Sequence, residues 1–302
     1  MRRTSFSGRK AAAAVLAIGL CWTVALAAGE PAATRPVEKG QRVFTAGHSF
    51  HVFMPNLLRE LAAAADIKEH TQVGVQSLGG SRVVQHWNLP DEKNKAKQAL
   101  TEGKVDVLTL SPIFHPDEGI DRFTELALKH NPDVRVTVQA FWLPYDVYDV
   151  NYQKKRPEKV DRNSRTADEM RKIHAEYFRT VDEQVQALNK QHGKTVVYVV
   201  PVGQAAILLR EKIIAGAVPG LQTQEELFSD AIGHARPPLQ ALTAYCHYAV
   251  IYRRSPVGLP MPSVLKNAKA DEQLNRLLQE LAWEAVVNHP LSGVKADAKK
   301  AP

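Results

Sequence analysis

The sequence predicts an α/β protein, a three-layer sandwich with a central parallel sheet of about five strands and helices on both faces. Two observations lead there. Five short segments rich in β-branched residues recur along the chain, separated by stretches of helical periodicity. Those short segments are mostly apolar on both faces, as strands covered by helices on either side must be.

The candidate strands are residues 42–46 (RVFTA), 71–76 (TQVGVQ), 105–110 (VDVLTL), 134–141 (VRVTVQAF) and 195–200 (TVVYVV). Helical patterns fill the gaps near 54–66, 94–102, 119–130 and 165–191. Beyond the fifth strand three more helices are expected. The first, PVGQAAILLREKIIAG, is entered through Pro201 and Gly203 and ended by Gly216. The second, PPLQALTAYCHYAVIYRR, carries Pro237 and Pro238 in its first turn, where proline is tolerated. The third, ADEQLNRLLQELAWEAVVNHP, places Leu274, Leu277, Leu278, Leu281, Ala282 and Ala285 on one core-facing stripe. There are no internal repeats.

A chain of 302 residues can bury a substantial core. Its organisation reads as one domain over 41–290, with a Pro/Gly/Ala linker at 28–40 before it and a basic tail at 291–302 after it. Residues 1–27 read as a secretory leader: Arg2, Arg3, Arg9 and Lys10 precede an apolar run that ends in the small-residue pattern Ala25-Leu26-Ala27. Export to the periplasm or the extracellular space follows, with no stable membrane insertion once the leader is gone. Removing its four cations lowers the formal charge from +7 to about +3. With no dense Lys/Arg stripe interleaved with aromatics, no nucleic-acid partner is expected. Only Cys246 would then remain, in an apolar helical pattern, so no intrachain disulfide is expected and the thiol reads as inert. No His-x-x-x-His or cysteine pair stands at ligand spacing, so neither a metal nor another cofactor is expected.

In parallel sheets ligands bind beyond the carboxyl ends of the strands. Four segments should therefore converge on one rim: GHSFH after the first strand, SLGGS after the second, SPIFHPD after the third and FWLPYD after the fourth. Residues 142–165 are too long for an ordinary strand-to-helix connection and read as a lid or binding loop. Its aromatics (Trp142, Tyr145, Tyr148, Tyr152), followed by Lys154, Lys155 and Arg156, would suit stacking against a sugar with ionic contacts alongside.

A serine is a poor nucleophile until a base takes its proton, and the base needs an orienting carboxylate. Ser49 follows the first strand in Gly47-His48-Ser49. Asp230 and His234 lie four apart in LFSDAIGHARPPL, just ahead of a helix. Over roughly residues 41–255 the chain resembles the SGNH (GDSL-type) hydrolases. That family sets Gly-x-Ser after the first strand, glycine after the second and Asp-x-x-His near the C-terminus, on a flavodoxin-like sandwich. The resemblance implies Ser49 as nucleophile, His234 as general base and then acid, and Asp230 as its orienter. It implies an oxyanion hole from the backbone N–H groups of Ser49 and Gly80 or Gly79, with Ser111 in place of the asparagine often found after the third strand. His48, His115, Trp142 and Tyr145 are candidate substrate contacts. His51 is expected to face solvent or to bond locally. The Asp-to-His spacing is one residue longer than the family's, and Gly233 could absorb the extra residue in a non-helical turn. The function implied is an exported serine esterase removing acetyl or similar groups from a small-molecule or carbohydrate ester through an acyl-enzyme. The alternative is a weakened or inactive carbohydrate-binding protein on the same fold.

Overall fold

The computed structural model describes Met1 and residues 35–149 and 157–295. The chain divides into two compact units, Met1–Ala33 and Thr34–Pro302, and the sheet belongs to the second. The expected leader after Met1, the expected linker up to residue 34, residues 150–156 of the long segment and the expected tail from 296 lie outside the described residues.

Five strands form one all-parallel sheet in the order β2-β1-β3-β4-β5. They are β1 (Arg42–Gly47), β2 (Thr71–Ser77), β3 (Val107–Leu110), β4 (Arg135–Gln139) and β5 (Val197–Val200). Helix α1 (Met54–Ala64) joins β1 to β2. Helices α2 (Val83–Trp87) and α3 (Lys95–Thr101) lead to β3, and α4 (Glu118–His130) and α5 (Ala167–Gln191) make the next two crossovers. After β5 come α6 (Val202–Ile214), α7 (Pro237–Tyr252), α8 (Ser263–Asn267) and α9 (Glu272–Asn288). The chain steps one way from β1 to β2 and the other way from β2 to β3. Right-handed crossovers therefore put α1 on one face and α2 to α5 on the other.

All four residues of β3 and of β5 are buried, and only the first residue of β1 and of β4 is not; Val43, Leu108, Val136 and Val199 are among the core residues. β2 differs: it is an edge strand whose alternating Thr, Gln and Val side chains are mostly part-exposed. A polar row also crosses the interior. Thr45, Thr109 and Thr137 align in register on β1, β3 and β4, all buried. The Thr109 hydroxyl donates to Thr45 Oγ1 at 3.1 Å. Helix α7 is buried nearly all round, as its apolar sequence requires. Cys246 lies within it, and burial pushes its thiol well above the ordinary range, so it stays protonated and unreactive.

Two short helices, α2 and α8, escape the sequence reading because five residues show no periodicity. The first is held by Asp117 at the start of α4. This fully buried carboxylate accepts the Val83 N–H at 2.7 Å and the Val84 and Gly119 N–H groups at 2.9 Å each. The two helix starts meet so closely that a Cβ on Gly119 would fall 2.2 Å from Val84 N. The loops after β2 and β3 are thus tied together at the rim. Asp117→Ala leaves three backbone donors unpaired and is expected to cost about 2–4 kcal/mol. Urea unfolding should show this as a lowered midpoint at unchanged m.

Candidate active site

Strand β1 ends in Gly47 because nothing larger fits there. A Cβ at that position would lie 2.5 Å from His51 Nδ1 and 3.2 Å from Ser111 Cβ. The chain then turns at once: the N–H groups of His51 and Val52 both donate to the His48 carbonyl, at 2.9 and 3.1 Å. Within this turn His48, Phe50 and His51 face inward, and Ser49 alone is exposed. Ser49 caps no helix, since α1 starts at Met54 without a side-chain cap.

The loop before α7 carries the other two groups. An isolated antiparallel bridge between Phe228 and Ala235 closes it. Gly233 has φ +101°, a conformation that accommodates the extra residue between Asp230 and His234. Asp230 Oδ1 accepts the N–H groups of Gly233 at 2.9 Å and His234 at 3.0 Å, and Oδ2 meets His234 Nδ1 at 2.6 Å. Partial burial alone would raise the Asp230 carboxyl, but these hydrogen bonds outweigh it and hold the group below its ordinary range. As a carboxylate it accepts the ring proton on Nδ1. The lone pair of Nε2 is left for the Ser49 hydroxyl, 2.8 Å away. Phe50 packs edge-on against the His234 ring, with centroids 5.3 Å apart. The site is shallow: the side chains of His234 and Asp230 are 38% and 45% exposed.

Ser49 N–H has no hydrogen-bond partner among the described residues. Leu78 N donates to the Gly47 carbonyl at 3.1 Å and so ties the Gly79-Gly80 loop to the end of β1. Gly79 is exposed, with open space where a Cβ would stand, and Gly80 takes φ +55°. Ser111 is instead buried, its hydroxyl 3.2 Å from His48 Nε2.

The remaining candidates lie elsewhere than expected. His48 is enclosed, edge-on between Phe50 and Phe141. Burial, reinforced by His86 and His234 nearby, pushes its pKa down to about 3. Its Nδ1 accepts the Phe50 N–H at 3.4 Å, which leaves Nε2–H to donate to Ser111. It braces the turn rather than meeting a ligand. His51 does not face solvent; it stacks on His247 in the interior, 5.2 Å between ring centroids. His115 is buried against Gln184, 3.0 Å from Nδ1 to Oε1. Trp142 and Tyr145 form no platform for a sugar. Trp142 is 1% exposed and stacks on Phe50 at 4.8 Å, and Tyr145 is buried beside it in the short 3-10 turn Pro144–Asp146. Their apolar bulk belongs in the core, so aromatic content alone misplaces them. Tyr152, Lys154, Lys155 and Arg156 lie outside the described residues. Phe50, which the sequence presents as ordinary core, is the residue missed: it contacts both Trp142 and His234.

The sheet order, the serine after β1, the glycines after β2 and an Asp–His pair ahead of a late helix form one arrangement. The chain has the α/β flavodoxin-like fold that the resemblance to the SGNH (GDSL-type) hydrolases implies. A DUF4886 family protein from Bacteroides uniformis matches it with a TM-score of 0.53 at 12% identity, over 83% of this chain and 96% of that one. A protein described as an SGNH hydrolase, from Slackia heliotrinireducens, is similar at a TM-score of 0.43 and 18% identity, over 70% of this chain and 98% of its own. A protein described as a GDSL-like lipase, from Parabacteroides merdae, reaches 0.41 at 12% identity, over 70% and 95%. No family model and no curated protein sequence matches the chain.

Burial holds seven of the histidines neutral well into acid, His51 among them. It pushes His48 and His247 down to about 3, and His70, His86, His115 and His174 down to about 4. Below the ordinary histidine pKa of about 6.5 the unfolded chain takes up protons that the fold refuses. Stability is therefore full above pH 7 and falls as the pH drops towards 4. Calorimetry across that range should show a Tm flat on the neutral side and steeply falling on the acid side. A constant Tm down to about pH 4.5 would contradict the burial.

Proposed function

We propose that the chain is an exported serine esterase acting on acetyl or similarly short acyl esters through an acyl-enzyme. The observation that carries this reading is the continuous hydrogen-bonded line Ser49–His234–Asp230, with contacts of 2.8 and 2.6 Å, opening on the exposed carboxyl-end rim of the sheet. In the first half-reaction Ser49 Oγ attacks the ester carbonyl while its proton passes to His234 Nε2. The carbonyl oxygen becomes an oxyanion beside the Ser49 N–H and the Gly79-Gly80 loop. The intermediate collapses with loss of the alcohol, which takes the proton from His234. In the second half, water gives a proton to His234 and attacks the acyl-serine. The acid departs and Ser49 regains its proton. Asp230 stays ionised throughout and stabilises the imidazolium that forms twice per turnover.

The acceptor alcohol is left open. A carbohydrate was expected from the aromatic segment, but Trp142 and Tyr145 are buried, while Tyr148 is half-buried against Phe114 and Tyr177. The leader-like pattern of residues 1–27 supports export, and among the described residues no helix is long and apolar enough to cross a membrane.

Hydrolysis of p-nitrophenyl acetate by the protein lacking residues 1–27 tests the mechanism. Ser49→Ala should lose about three orders of magnitude or more in kcat. His234→Ala should lose a similar amount, and the double variant no more than either, because the two residues act on one step. Equal rates for Ser49→Ala and the parent would overturn the esterase reading. Mass spectrometry of protein recovered from a secreting host should find Ala28 as the first residue. Retention of residues 1–27 would count against export.

A further inference from the structure

Trp142, Tyr145 and Arg162, from the connection between β4 and α5, hold the loop that carries Asp230 and His234 at four consecutive carbonyls, Asp230 to Gly233. Arg162 Nη1 donates to the Asp230 carbonyl at 3.4 Å, and Nη2 to that of Ala231 at 2.6 Å. The backbone N–H of Tyr145 donates to the Ile232 carbonyl at 3.1 Å. Trp142 Nε1 donates to the Gly233 carbonyl at 2.8 Å. Four consecutive acceptors thus meet four donors, all drawn from residues 142–165.

The last two contacts bear on the triad through the planarity of the peptide bond. In a trans peptide the C=O and N–H point in opposite directions, so fixing one aims the other. The peptide whose oxygen is held by Tyr145 presents the Gly233 N–H to Asp230 Oδ1. The peptide whose oxygen is held by Trp142 presents the His234 N–H to the same atom. These two donors set the carboxylate so that Oδ2 meets His234 Nδ1.

The donors are themselves braced. The Arg162 side chain is 1% exposed, paired with Glu225 at 3.0 Å and lying over the Phe228 ring at 4.3 Å. Asp146 stands 4.0 Å from Arg162 Nε and makes a two-pronged pair with buried Arg210 at 2.8 and 2.6 Å. Trp142 is fixed by its stack on Phe50, in the nucleophile's own turn. A loop built only to cover a substrate has no need of such anchoring.

We propose that residues 142–146 and Arg162 form a template that sets triad geometry, with Trp142 and Arg162 as positioning residues that act through the 230–233 backbone. The proposal rests on the esterase reading above. It explains how an Asp-to-His spacing of four can deliver a carboxylate to Nδ1.

Trp142→Phe keeps the stack but removes the donor to Gly233, and Arg162→Met removes both donors to Asp230 and Ala231. Each variant is measured by burst titration of reactive serine, by kcat and KM per titrated site, and by the low-field proton resonance of His234 Nδ1–H, assigned by its loss in His234→Gln. The expected result is KM within about twofold, kcat per site lower by about ten- to a hundredfold, and a broadened or missing resonance. Should Arg162→Met fail to fold, Arg162→Lys keeps the charge but not the fork and must show the same split. A kcat per site within about twofold of the parent, with the resonance intact in Trp142→Phe and the arginine variant, would overturn the template. If the parent proves no faster than Ser49→Ala, the esterase reading fails instead. The resonance then decides alone, and its persistence in Trp142→Phe overturns the template.

Discussion

Strand β1 lies between β2 and β3, and the rest of the site depends on that position. The crossovers on its two sides run on opposite faces of the sheet, so the loops leaving its neighbours' carboxyl ends diverge and open a crevice above it. A residue at the end of β1 stands in that crevice whatever its identity. Gly47 lets the chain turn there within van der Waals reach of His51 and Ser111, and the inward packing of His48, Phe50 and His51 leaves Ser49 as the residue turned outward. The exposure of the serine is thus a consequence of core packing beneath it.

The interior under the rim is unusually polar for a parallel sheet. A threonine row crosses three strands, and the Gln139 side chain links the Phe50 carbonyl at 3.0 Å to His247 Nε2 at 2.8 Å. Seven histidines are held neutral by burial. Neutral imidazoles serve here as compact fillers that both accept and donate. His48 shows the use of this: one ring nitrogen accepts the Phe50 N–H and the other serves Ser111, so a single side chain braces both the nucleophile turn and the loop after β3. His234, at the surface and beside a carboxylate, is in the opposite environment. That contrast sets it apart from the buried imidazoles and leaves its Nε2 turned to the Ser49 hydroxyl.

The site also couples regions far apart in the chain. Phe50, one residue beyond the nucleophile, stacks on Trp142 and meets the His234 ring edge-on. Trp142 in turn holds the loop that carries His234. Nucleophile turn, Trp142 and base loop pack together, so the half-exposed triad does not depend on its own short hydrogen bonds alone for its geometry.

Much of this was legible in the residues. Strand and helix identities followed from periodicity, and the five strands and seven longer helices lie within a few residues of their expected places. The rim loops and the trio Ser49, Asp230 and His234 followed from residue type, from position at the strand ends and from family resemblance. What the sequence could not assign is which side of a loop faces inward. Trp142, Tyr145, His48, His51 and His115 carry side chains that suit a ligand or a core equally well, and only packing decides between the two. The tolerance of the four-residue spacing was likewise a tertiary matter. It depends on donors from residues 142–162 meeting carbonyls about seventy to ninety positions away, a match of backbone directions that local sequence patterns do not encode.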